Sequence, residues 1–148
     1  SEIKKIKDVR QFTGILYGLS FVGVALFFTM MLGGDFTDCM VAGVAGLAMA
    51  ITQWALVPFG FNSFFLNMIS TLSMALTAVG FQRFVFANMN IDLVIIGGIM
   101  PIVPGVIFTT AMRDTLNGDY TAGVSRMLET GVVAFAVAVG VALAYVIL

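Results

Sequence analysis

This sequence predicts an all-α membrane protein of five transmembrane helices, the fourth of them broken near its middle. Three observations carry that reading. Hydrophobic residues make up 60% of the chain and charged ones only 10%, with a mean hydropathy of +1.07; a soluble domain of 148 residues cannot bury so much apolar surface. The charges fall in a few short runs between long uncharged ones, as loops do between spans. Finally, the stretch GGIMPIVPG, Gly97 to Gly105, sets two prolines and three glycines inside an apolar run. None of these runs alternates as barrel strands do.

A helix rising ~1.5 Å per residue needs roughly 20 apolar residues to cross ~30 Å of hydrocarbon. The first span reads from Thr13 to Leu32, after a cytosolic lead of residues 1–12. It has no small-residue cleavage site before the acidic loop, so it is expected to stay in the membrane. The second span reads from Cys39 to Val57, with Asp35, Thr37 and Asp38 available to cap it, and the third from Phe61 to Phe81, with Asn62 or Ser63. The fourth runs from Ile91 to Met112 behind Asn90 or Asp92, and the fifth from Thr130 to Leu148, extended back to about Tyr120 behind Asp119. Each capping residue offers a side-chain oxygen to free backbone N–H groups. Gly14 and Gly18, and Ala42, Gly46 and Ala50, recur at four-residue steps and permit close helix contact. The whole is one domain, and an odd number of spans suits half of a two-part, inverted-repeat transporter.

Orientation follows the basic residues. With the lead in the cytosol, Lys4, Lys5, Lys7, Arg10, Arg113 and Arg126 all lie inside and only Arg83 outside. The N-terminus is therefore expected in the cytosol and the C-terminus outside.

Pro101 and Pro104 each remove a backbone N–H, so the carbonyls of Gly97 and Met100 are expected to lose their helical partners. Pro104 suits the start of a second half-helix, leaving the N–H groups of Gly105, Val106 and Ile107 free to meet an anion such as a carboxylate. Counted from Asp92, the break lies about 14 to 18 Å deep at ~1.5 Å per residue, near the bilayer midplane, where irregular backbone persists only if buried or lining a watery cavity. A packing kink is the plainer alternative.

Arg113 and Asp114 follow half a helix later, at the expected inner mouth. Asn117, Gly118 and Asp119 read as a turn, after which Asp119, Gly123, Arg126 and Thr130 share one face and Glu129 lies one turn from Arg126. Arg113, Asp114, Asp119, Arg126 and Glu129 are thus candidates for a gate or a coupling relay, or else an ordinary capped loop with an exposed ion pair. In the third span Ser63, Asn67, Ser70, Thr71 and Thr77 form a polar stripe that either walls a hydrated path or bonds to neighbouring helices.

Several chemistries find no residues to use. One cysteine, Cys39, and no histidine leave no zinc set and no internal disulfide. No acidic or basic residue falls at a predicted span centre, and there is no P-loop or nucleophile constellation. Neither an enzyme nor a resident cofactor or metal is expected.

The residues Gly97 to Gly105, then Thr109-Thr110-Ala111-Met112-Arg113-Asp114, then Gly118-Asp119-Tyr120, Gly123, Arg126 and Glu129, closely resemble the signature of the threonine/serine exporter (ThrE) family. The likeness is nearest to the family's larger, N-terminal half, of the type found in a bacterial succinate exporter. Family members carry a longer cytosolic segment before the first span than the lead seen here. The resemblance implies a secondary exporter of small carboxylated metabolites, threonine or serine in one branch and succinate in another. It implies a multi-pass protein of the bacterial cytoplasmic (inner) membrane, working with a second five-span ThrE-type subunit and open to higher oligomers; nucleic acid has no part. Read together, the residues expected at the substrate are Asn67, Gly97, Met100, Pro101, Pro104, Gly105, Val106, Ile107, Thr109 and Thr110. A structural or regulatory membrane subunit and a passive anion channel are the competing readings.

Overall fold

A computed structural model describes residues 2–148, and of 5–12 the backbone alone. The side chains of Lys5, Lys7 and Arg10, used above to orient the chain, lie outside the described residues. The described chain is all helical: α1 (Glu2–Met31), α2 (Phe36–Leu56), α3 (Ser63–Phe84), α4 (Ile91–Ile99), α5 (Gly105–Leu116) and α6 (Tyr120–Ile147), with a 3-10 turn at Val57–Phe59. Four stretches are long and apolar enough to cross a membrane, Thr13–Met31, Phe36–Phe59, Ser63–Phe84 and Tyr120–Ile147. The segment expected as a broken fourth span is two helices of 9 and 12 residues, each too short to cross alone.

The helix ends follow local chemistry. α2 begins ahead of its expected start because Asp38, 2% exposed, sits in its first turn and accepts the N–H of Asp35 at 3.1 Å. The other oxygen of that carboxylate accepts the N–H of Asn90 at 3.1 Å, fastening the start of α2 to the segment that leads into α4. Pro58 cannot continue the hydrogen-bond ladder, and α2 tightens there into the 3-10 turn. Asp119 caps α6, accepting the Ala122 N–H at 3.2 Å, while Gly118 takes φ +87° in the turn before it.

Packing divides the chain at the break. α2 lies against α1 and α3, and α4 nests among α1, α2 and α3, whereas α5 packs on α6 and α6 on α3. Small residues set the crossings. A Cβ on Gly46 of α2 would meet the Phe21 carbonyl of α1 at 3.0 Å, and one on Gly140 of α6 would meet the Met68 carbonyl of α3 at 2.6 Å. Gly97 of α4 lies directly on Thr29 of α1, and Gly123 of α6 on Thr115 of α5. Gly18, by contrast, has nothing within 4 Å of such a Cβ and borders a shallow apolar groove beside Trp54; it opens a gap where close contact was expected.

Candidate functional site

Pro101 and Pro104 both fall between α4 and α5, in the segment where the chain leaves the first three helices for α6. A cleft of about 450 Å³, lined by both polar and apolar residues, opens at that junction. Pro101 to Pro104 form one wall and Val106 and Ile107 of α5 continue it; Tyr17 and Phe21 come from α1, Gln53 from α2, Ser63 and Asn67 from α3, Glu129 and Val133 from α6. Five helices and the break thus contribute to one space.

The backbone of the break differs in part from expectation. The Gly97 carbonyl keeps a partner by a tighter bond, accepting the Met100 N–H at 3.3 Å, and Gly97 itself is buried against α1. The Ile99 carbonyl accepts two N–H groups, those of Ile102 at 3.0 Å and Val103 at 3.2 Å. The Gly105 N–H, expected to be free, donates to the Val103 carbonyl at 2.9 Å, because Pro104 at φ −82°, ψ 52° folds the chain into a tight turn. Among the described residues the N–H groups of Val106 and Ile107 have no backbone acceptor, so the positive end of α5 presents two donors beside the cleft.

Other expected residues separate. Asn67, Pro101, Pro104, Val106, Ile107 and Glu129 line the cleft; Gly97, Met100, Gly105, Thr109 and Thr110 do not. The Thr109 hydroxyl bonds to the Gly105 and Val106 carbonyls and that of Thr110 to the Val106 carbonyl at 2.6 Å, so both are turned onto their own helix. The polar stripe of α3 also divides. Ser63 and Asn67 face the cleft, Ser70 and Thr77 bond back to α3 carbonyls, and the buried Thr71 hydroxyl has no partner among the described residues.

Arg126 was expected beside Glu129, one turn away. It pairs instead with Asp114 of α5 at 3.3 Å, an arrangement the closeness of Gly123 to α5 allows. Asp119 serves as the α6 cap, and the exposed Arg113 stands in the last turn of α5, apart from the cleft. Glu129 is therefore the carboxylate that borders the cleft.

Gln53 is the residue that sequence reasoning missed. It is 6% exposed within α2, accepts the Tyr17 hydroxyl proton at 2.5 Å and donates from Nε2 to Asn67 Oδ1 at 3.4 Å. A glutamine in an apolar span was the available signal, since buried amides require partners.

No curated protein and no solved structure matches this chain. The sequence model of the ThrE family, described as "Putative threonine/serine exporter", matches residues 1–148. The chain belongs to the ThrE family of threonine/serine exporters and is a multi-pass membrane transport protein.

Proposed function

We propose that this chain is the five-span half of a secondary exporter, that the junction cleft is its substrate site, and that its substrate is a small amino acid held as the zwitterion. One observation carries the reading: the two unbonded N–H groups at the start of α5 and the Glu129 carboxylate border the same cleft. The N–H pair suits a carboxylate, and Glu129 suits the ammonium that accompanies it. A dicarboxylate such as succinate would place a second negative charge beside Glu129, and like-charge repulsion there opposes its binding.

In this reading α4 and α5 together make the fourth of five crossings, the N-terminus lies in the cytosol, and a second five-span ThrE-type subunit completes the path. Arg113 attracts the anion at the cytosolic mouth. Counterflow into liposomes carrying the chain with its co-purifying partner tests it. Labelled threonine should exchange saturably and succinate poorly, and Glu129→Gln should lower threonine exchange about tenfold or more, the loss of one charged contact. Saturable succinate exchange without threonine exchange would transfer the site to dicarboxylates. Exchange of neither by a folded complex would favour a structural subunit.

A further inference from the structure

Gln53 does more than fill a buried position. It joins three helices through a hydrogen-bonded chain, Tyr17 of α1 to Gln53 of α2 to Asn67 of α3, and all three residues border the junction cleft. Resting on the reading of that cleft as the substrate site, we propose that this chain is a polarised amide relay in which Tyr17 and Gln53 are positioning residues that make Asn67 present its N–H groups to a substrate carboxylate.

The direction follows from the two ends of an amide. A carboxamide has an acceptor oxygen at one end and a donor nitrogen at the other, and a bond made at one end fixes which end faces the next group. The Tyr17 hydroxyl donates to Gln53 Oε1, so Gln53 Nε2 is turned toward Asn67. Asn67 answers with Oδ1, which leaves its Nδ2 hydrogens for a guest. Reversal of the chain would present Oδ1 instead, an acceptor suited to an ammonium group. The phenol at the far end therefore sets the sign of the polar group that Asn67 offers, and that sign agrees with the N–H groups of Val106 and Ile107 on the same cleft. The long 3.4 Å link between Gln53 and Asn67 lets the amides respond to a guest without breaking the buried Tyr17 bond.

Threonine counterflow with the complete complex tests the relay through three substitutions. Gln53→Glu has acceptors at both ends and should turn Asn67 around, raising KM for threonine about tenfold with the maximal rate nearly kept, while Tyr17→Phe should raise it about threefold. In an Asn67→Ala background Tyr17→Phe should not raise KM further, since it adds no charge and acts through Asn67. An unchanged KM in Gln53→Glu, or full additivity in that background, would overturn the relay. A readout independent of transport is the side-chain 15N resonance of Asn67 in the labelled complex. Tyr17→Phe should shift it although the two residues make no direct bond, and an unmoved resonance would overturn the relay even if transport fails. Loss of threonine exchange by the unsubstituted protein would count against the substrate reading alone.

Discussion

Arg126 Nη1 lies 3.3 Å from Asp114 Oδ2, tying α6 to the last turns of α5. The pair is half exposed, at 46% and 25% for the two side chains, so it contributes little stability, on the order of 0.2 to 1 kcal/mol for pairs of this kind. Its consequence is electrostatic, because Arg126 held by Asp114 does not neutralise Glu129 one turn away.

Asp114→Asn should therefore weaken substrate binding and barely change stability. Released from its partner, Arg126 can swing to Glu129 on the same helix, and KM for threonine should rise about threefold, with the melting temperature within a few degrees. An Arg126→Gln, Asp114→Asn double variant should regain the original KM. Equal KM values in all three proteins would show that the pair has no bearing on the cleft.

The buried Asp38 carboxylate accepts one backbone N–H from each of two segments, Asp35 and Asn90. Asp38→Ala would leave both donors unpaired at a cost of about 1 to 3 kcal/mol each. Asp38→Asn keeps one acceptor and should lose roughly half as much. Thermal unfolding in detergent, followed by helical circular dichroism, would give that ranking; equal loss in the two variants would deny the clamp.

Gly140 and Gly131 occupy the same helix with opposite surroundings. A methyl group on Gly140 would meet the Met68 carbonyl at 2.6 Å and the Leu72 nitrogen at 3.1 Å, both backbone atoms, whereas one on Gly131 meets nothing within 4 Å. Gly140→Ala should force α6 off α3 and destabilise by about 1 to 3 kcal/mol. Gly131→Ala should be neutral or stabilising, by up to about 1 kcal/mol of helix propensity. The opposite order in unfolding temperatures would contradict the packing of α6 on α3.

Thr71, at the same crossing, carries a buried hydroxyl that has no partner among the described residues. Thr71→Val keeps the shape and removes the unsatisfied group, so stability should rise, by as much as about 1 kcal/mol or slightly more. A clear fall in unfolding temperature would mean that this hydroxyl is bonded in the assembled transporter.

The long helices were legible because apolar run length is a direct consequence of membrane thickness. Their ends were less so. α2 starts at Phe36 and α3 continues to Phe84, past the expected Phe81, since capping and tertiary bonds such as Asp38 to Asn90 decide the last turns and leave no periodic trace. The prolines stand between α4 and α5, and the composition of that segment could not show that the Gly105 N–H folds back onto Val103. Helical spacing put Arg126 beside Glu129, but the near contact of Gly123 with α5 gave Asp114 the better geometry. Gln53 was the largest omission. Its partners stand 36 and 14 residues away in sequence, so its role exists only once α1, α2 and α3 are packed together.

The most direct test of the central claim, that the junction cleft holds the substrate, is protection of a cysteine placed in it. Val106, 80% exposed and lining the cleft, would be replaced by cysteine in a Cys39→Ser background, removing the chain's single native thiol. Threonine should slow maleimide modification of Val106→Cys in the transport-competent complex, at concentrations that also saturate exchange. Modification at the same rate with and without threonine, in a complex that still exchanges it, would place the substrate elsewhere.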